Sequence, residues 1–462
     1  MGDHRIILAS VNEHCYDSVN GEVTHMLIEY RVKNFMSYRD EIIFSMVADK
    51  NRELSDTNTF KQGNLTLLKT AAIFGANASG KTNFIASLHY LVRLMRANVD
   101  SKALLRELPT FKLDTTSENL PISYELSFVM DGQRHRYGLE LDPNGIRSEW
   151  LYFAPHRQEA CYFERNYDEI TTTGVYFGDK KALDFIKPDP FRPFLFTLGQ
   201  ESVKQFTWAK KILTYLRMDL RAGQFPDLWY NSQIQKELVE SKQQEVISKD
   251  QLVAFLKAAD VGVADISVAK EKRSAEEQNM LRQLASVFNE NDQDMEEDKY
   301  ETFMHHFKYD DNEQVVGQER FNLNMESQGT IKFFTLQYPI LNVLKKGGVL
   351  FIDELEDSLH PLLCEKIIQL FHNEQTNPKH AQLIFTTHNT LLMNPSLLRR
   401  DQIYFTEKNK YGASKLYSLY DIDLDIRSNF NYLNNYLSGR FGAIPYLGSF
   451  ELGELQREGA DG

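Results

Sequence analysis

One stretch constrains this chain more than any other. Gly75-Ala76-Asn77-Ala78-Ser79-Gly80-Lys81-Thr82 matches the pattern G-x-x-x-x-G-K-S/T at every fixed position. An apolar run, Leu67 to Phe74, precedes it, and a helical pattern, Asn83 to Leu94, follows. A strand, a glycine-rich loop and a helix in that order can cradle phosphate. The glycines let backbone N–H groups turn inward, and the N-terminus of a helix favours an anion. Gly75, Asn77, Ser79 and Gly80 are therefore candidates for nucleotide contact. Lys81 is expected to reach the β- and γ-phosphates, and the Thr82 hydroxyl to sit on Mg²⁺.

A second element fits the same chemistry. Gly348-Val349-Leu350-Phe351-Ile352-Asp353-Glu354 is an apolar run ending in two carboxylates. Such a run suits a strand buried on both faces of a parallel sheet. Asp353 is the expected Mg²⁺ partner, and Glu354 the residue that polarises water for hydrolysis. Roughly 270 residues separate Lys81 from Glu354, far beyond an ordinary connection, so a large insertion divides the nucleotide domain. Just ahead of the acidic run, Glu326-Ser327-Gln328-Gly329-Thr330 opens a helical pattern from Ile331 to Leu344. A serine and a glycine at a helix N-terminus form a second phosphate-binding surface. Downstream come Asp357-Ser358-Leu359-His360-Pro361, a helix to about Glu374, and an apolar strand running into Thr386-Thr387-His388-Asn389.

In this order the motifs resemble the ABC-type ATPase heads of the SMC, Rad-fifty and RecF class. The segment Ile28 to Tyr38 is similar to the first strand of those heads. The ending Tyr436-Leu437-Ser438-Gly439-Arg440-Phe441-Gly442-Ala443-Ile444-Pro445 resembles the C-terminus of the RloA and AbiL-type AAA-family ATPases of abortive-infection and restriction loci. Those are related to the ATPase subunits of the PARIS and Septu antiphage systems. The likeness covers about 26–151 and 321–450. It implies ATP and Mg²⁺ as ligands, Glu354 as the catalytic carboxylate and His388 as the switch histidine at the γ-phosphate. It also implies that Ser327 and Gly329 contact the γ-phosphate of ATP held by a partner subunit. The signature here is Ser327-Gln328-Gly329-Thr330, without the Leu-Ser start and extra glycine usual in the family. A serine acting in trans implies a head-to-tail dimer or higher homo-oligomer sandwiching two ATP molecules.

The expected fold is therefore α/β: an ABC-type P-loop ATPase head with an antiparallel β lobe and an inserted helical lobe. The expected organisation is an N-terminal extension over 1–25, a first half-head over 26–107 and a β-rich lobe over 108–200. A helical insertion with a mobile acidic segment follows over 201–320, and the second half-head over 321–462. In the β-rich part, Ile122 to Met130 alternates, Asp131-Gly132 signals a hairpin turn and Arg136 to Leu141 answers as the return strand. From Glu201 to Asp260 the pattern turns helical. Lys270 to Gln318 is polar, including the acidic run Asn289 to Asp298. Sustained heptads are absent, so a short lobe is expected instead of long coiled-coil arms.

Composition narrows the setting. No apolar run reaches the roughly 18 residues of a membrane span, and the start lacks the apolar core of a signal peptide. A cytoplasmic protein without a membrane partner is expected, with Met26 an alternative start. Three cysteines, Cys15, Cys161 and Cys364, are too few and scattered for a disulfide framework. The absence of Cys-x-x-Cys excludes a zinc hook. The net charge of −13 does not suit a chain built to coat DNA. A local basic face on Gln205–Arg221, formed by Lys210, Arg217 and Arg221, is the best candidate for phosphate contact; a solvated helix face is the bland alternative.

Other features read as ordinary structure. Asp421-Ile422-Asp423-Leu424-Asp425 resembles a Toprim acidic cluster but suits a surface strand end. His305-His306, near Glu301 and Asp310, lack a second ligand cluster for a metal. Trp150, Trp208 and Trp229 suit packing better than base stacking. Three functions stay open at this point. The first is an antiphage ATPase that senses, regulates or scaffolds a separate toxic effector such as a nuclease. The second is a RecF- or SMC-like repair ATPase acting directly on DNA. The third is a nuclease with its active site in the middle lobe.

Overall fold

The computed structural model describes residues 25–96, 100–156, 158–200, 202–222, 234–235, 238–239, 247–276, 298–423 and 431–445. Strands follow in chain order: β1 (Met26–Lys33), β2 (Ile42–Ser45), β3 (Thr59–Gln62), β4 (Leu65–Leu68), β5 (Thr70–Gly75), β6 (Ile122–Met130), β7 (Gln133–Asp142), β8 (Gly145–Ala154), β9 (Ala160–Asn166) and β10 (Glu169–Thr173). Then come β11 (Leu220–Ala222), β12 (Asp265–Lys272), β13 (Asp298–Tyr309), β14 (Val315–Asn322), β15 (Val349–Ile352), β16 (Gln382–Thr386), β17 (Ile403–Lys408) and β18 (Ser414–Ser418).

The organising sheet has the order β11-β15-β16-β5-β17-β18. It is parallel from β11 through β17, and β18 turns back antiparallel at one edge. Every residue of β5, β15 and β16 is buried, as continuous apolar runs in a doubly covered sheet require. Side chains alternate between two cores. Ala71, Ile73, Val349, Phe351, Ile384 and Tyr404 enter one. Ala72, Phe74, Leu350, Ile352, Leu383, Phe385, Ile403 and Phe405 enter the other.

The first core holds the helix Lys81–Leu94 and an antiparallel sheet of order β10-β9-β8-β7-β6-β1-β2. Its β6–β7 hairpin closes as expected: Met130 pairs with Gln133, and Asp131 and Gly132 take φ of 51° and 73°, the left-handed pair of a two-residue turn. The buried amide of Gln382 in β16 ties this lobe to the parallel sheet. It accepts from the Leu27 N–H and donates to the carbonyls of Leu27 and Leu68. The second core holds the helices Gln328–Lys346 and Pro361–His372 and the short helix Tyr432–Leu437.

The helical reading of 201–320 needs correction. The helical run Thr207–Asp219 ends in β11, which pairs parallel with β15 and so belongs to the nucleotide sheet. After the helix Lys249–Ala258, the strands β12, β13 and β14 form an antiparallel sheet that overlaps the polar stretch Lys270–Gln318, part of which was expected to be mobile. Few of its side chains are buried, Ile266 and Met304 among them. Backbone pairing and surface ion pairs such as Lys270–Asp298 carry a sheet whose composition does not look like strand. The acidic residues 289–297 lie outside the described residues, as do residues 1–24, Cys15, Trp229 and Asp425.

Other polar features resolve as structure. Trp150 Nε1 donates to Glu125, and Trp208 stacks on Tyr162 and donates to the Phe177 carbonyl. Asp421 caps a short turn by accepting from the Ser418 N–H. His305 pairs with Ser267 and His306 with Glu326. Among the described residues, no group of three or more His, Cys, Asp or Glu is placed to hold a metal, and no helix is long and apolar enough to cross a membrane.

Two stability predictions follow from buried polar groups. Glu149, fully buried in β8, faces Arg165 Nε at 2.9 Å and accepts from Tyr137 OH and the N–H groups of Phe194 and Leu195. Glu149→Ala leaves a buried guanidinium uncompensated and is expected to cost about 3–5 kcal/mol in urea unfolding. Burial also pushes His89 and His135 down to about 4 and His372 down to about 3. The unfolded chain binds protons at these sites first. Stability is therefore full above pH 6.5 and lost as pH falls from there toward 4, which thermal unfolding at pH 7 and pH 5 will show.

Candidate functional site

The loop 75–82 crosses the C-terminal end of β5 and enters the helix Lys81–Leu94. Its glycines are required by space as well as by backbone angle. Gly75 has φ of +154°, and a Cβ there would lie 2.4 Å from the Thr406 carbonyl oxygen. Gly80 has φ of +120°, and its Cβ would lie 2.7 Å from Ser414 Oγ. The loop is held from both sides. Ser414 Oγ donates to the Ser79 carbonyl and Tyr38 OH to the Gly80 carbonyl. Ser79, expected to face nucleotide, instead pairs its hydroxyl with Thr406 Oγ1 at 2.5 Å and is buried. Its side chain braces the loop. Asn77 and Thr82 are exposed.

Lys81 is buried and folds over the loop, donating to the carbonyls of Gly75 and Ala76 at 3.0 and 3.1 Å. Burial draws its ammonium below the usual lysine range, against the opposing pull of Glu354, Asp353 and Glu356. Its Nζ lies 3.5 Å from His388 Nδ1, and His388 Nε2 lies 3.6 Å from Glu354 Oε1. Residues about 270 positions apart thus form one line of cation, imidazole and carboxylate.

Thr386, at the end of β16, joins the two acids. Its hydroxyl donates to Asp353 Oδ1 at 2.6 Å and accepts from the Glu354 N–H at 2.8 Å. Glu354 sits at φ of 51°, outside the strand, with its side chain half exposed. The carboxylate of Glu356 accepts the main-chain N–H of His388. Thr386, Thr406, Ser414, Tyr38 and Glu356 were not singled out from the sequence. Thr386 and Tyr38 were quoted within motifs but given no role of their own, and Glu356 stands three positions after Asp353 in an acidic turn.

Ser327 and Gly329 form the N-terminus of the helix Gln328–Lys346. Ser327 caps it, accepting from the Thr330 N–H at 3.1 Å. Gly329 packs on the turn after the acid pair, where a Cβ would lie 2.7 Å from the Ser358 carbonyl oxygen. On the basic face, Arg221 donates to Asn342 at 2.9 Å, an internal contact between β11 and the helix Gln328–Lys346.

The family model described as "AAA domain, putative AbiEii toxin, Type IV TA system" matches residues 71–184 and 202–394. The chain belongs to this AAA family. The match includes the phosphate loop, Ser327, Gly329, the acid pair and His388. It makes the chain a P-loop nucleotide-binding protein of this AAA family, α/β in class, with a mainly parallel sheet packed against an antiparallel lobe.

No curated protein matches. Among solved structures, the SMC head domain from Thermotoga maritima is 13% identical, with 86% of this chain and 100% of that one covered at a TM-score of 0.37. The Smc head bound to the C-winged helix domain of ScpA is 14% identical, with 85% and 98% covered at 0.37. The Smc head domain with an extended coiled coil, bound to the C-terminal domain of ScpA derived from Pyrococcus furiosus, is 13% identical, with 85% and 96% covered at 0.40.

The Thr386 hydroxyl gives the site's own prediction. Thr386→Val keeps the shape but strips Asp353 of a donor and leaves the Glu354 N–H unpaired. Loss of Mg²⁺-dependent nucleotide affinity by about tenfold or more is expected in a titration with fluorescent ATP, with about 1–3 kcal/mol of stability lost.

Proposed function

We propose that this chain is an ATPase that binds ATP with Mg²⁺, hydrolyses it, and serves as the sensor, regulator or scaffold of a bacterial antiphage system with a separate toxic effector. The observation that carries the ATPase reading is the line Lys81–His388–Glu354, with Asp353 locked beside it by Thr386. Phosphoryl transfer needs little covalent chemistry from a protein, and charge placed around the γ-phosphate supplies most of the catalysis. Lys81 neutralises phosphate oxygens, helped by the N–H groups of the loop. Glu354 orients the attacking water and takes its proton as the oxygen–phosphorus bond to γ forms and the bond from γ to the β-bridging oxygen breaks. ADP and phosphate leave. His388 faces the γ-phosphate between them.

The Thr82 hydroxyl and Asp353 carboxylate are hard oxygen donors of the kind Mg²⁺ takes, together with phosphate and water, so they would hold the ion. Bound there, Mg²⁺ would supply charge neutralisation on the β- and γ-oxygens.

The family description, a putative AbiEii toxin of a Type IV TA system, supports a setting in abortive infection. The RloA- and AbiL-like ending supports the same setting. It folds back on the sheet, with Tyr417 OH donating to the Phe441 carbonyl and Tyr436 OH to that of Ala443. Direct action on DNA gains little, because Arg221 of the basic face is engaged by Asn342 and the chain is acidic.

A serine used in trans makes ATP a bridge between two heads, and hydrolysis removes the bridge. Glu354→Gln is expected to bind ATP, to lose nearly all turnover, and to shift from monomer to dimer in light scattering when ATP–Mg²⁺ is added. Monomers at saturating ATP sink the dimer reading. Turnover equal to the wild type sinks the role of Glu354. Lys81→Ala is expected to weaken ATP binding in the same assay.

A further inference from the structure

We infer that Glu356 is the positioning residue that fixes His388 between Lys81 and Glu354. The inference rests on the ATPase reading above for its kinetic meaning, but its geometry is independent of that reading. After β15 the chain turns at Glu354, whose backbone is left-handed, and the Leu355 N–H donates to the Thr386 carbonyl. Leu355 is fully buried. This turn returns Glu356 to the end of β16, where its carboxylate accepts the N–H of His388. Three residues after Asp353, a third acid is therefore committed to the backbone of the histidine.

The consequence is a defined tautomer. An ammonium has donors only, so the His388 Nδ1 that faces Lys81 Nζ at 3.5 Å must accept. A neutral imidazole would then carry its proton on Nε2, on the side of Glu354 Oε1, 3.6 Å away. His388 lies two residues past the end of β16, and an acceptor for its N–H fixes the backbone from which the ring reaches these two long contacts. Glu356 supplies that acceptor. Its other oxygen, Oε2, is buried with no hydrogen-bond partner among the described residues. A buried carboxylate oxygen left this way costs stability. The residue is thus better explained by what it holds than by what it adds to the fold.

The test uses the full chain and three variants, Glu356→Ala, Glu356→Gln and His388→Asn. Turnover and ATP affinity are measured alongside the nitrogen-15 spectrum of histidine-labelled protein, with His388 assigned by its loss in His388→Asn. Glu356→Ala is expected to lower kcat by about tenfold or more while KM stays within about twofold, and to average the Nε2–H tautomer of His388. Glu356→Gln keeps an acceptor oxygen, so it is expected to retain most of the turnover and the tautomer. A Gln variant as impaired as the Ala variant, or an Ala variant with the His388 signal unchanged, overturns the inference. If the wild type hydrolyses no ATP, the functional reading fails alone, and the His388 spectrum still decides the role of Glu356.

Discussion

Strand β5 has water on neither face and ends where only glycine fits. Its side chains alternate into two separate cores, so both lobes of the molecule are packed against it. Its last residue, Gly75, lies against the Thr406 carbonyl so closely that no Cβ could be placed. The direction of the backbone at that point sets where the phosphate loop points. The position of every other group in the site is measured from it. A loop fixed by steric contact on β17 costs no ordering when a ligand arrives, which is how a rigid scaffold lends affinity to a polar site.

The site is assembled from three distant segments, and each is tied down by buried polar atoms. Ser37 and Tyr38 come from the first strand's exit, Thr406 and Ser414 from β17 and β18, and Thr386 from β16. Ser414 also donates its N–H to the Ser37 carbonyl, so the N-terminal and C-terminal parts meet directly beneath the loop. The ending of the described chain packs on the same edge, with Phe441 and Tyr436 against Phe405. That edge is thus one strand away from the loop that follows β5.

Legibility of the sequence varied with how local the governing physics is. The glycine-rich loop after β5, the acid pair after β15 and the β6–β7 hairpin lie where short local patterns placed them, because each pattern is contained in a few neighbouring residues. The insertion was misread. Strands β12 to β14 are mostly solvated, so they lack the alternation that marks a half-buried strand, and polarity suggested a mobile segment. The run ending at Arg221 read as helix, yet Leu220–Ala222 became a strand because a place beside β15 was open to it. Ser79 sits inside the motif, and only the approach of Thr406 shows that its side chain faces the protein.

By itself the sequence determined which residues could carry phosphate chemistry. Gly75, Gly80, Lys81, Thr82, Asp353, Glu354 and His388 are each the residue type that their expected role demands, because phosphate binding and water activation depend on backbone freedom, charge and hydroxyl oxygen carried by single residues. What tertiary structure alone decided is how those residues are aimed. The line from Lys81 through His388 to Glu354, the Thr386 hydroxyl shared between the two acids, and the acceptor that Glu356 offers to His388 all join segments far apart in the chain. Such contacts depend on the order of strands in the sheet, which no local pattern contains, since contacts of a few ångströms require neighbours that only packing brings together.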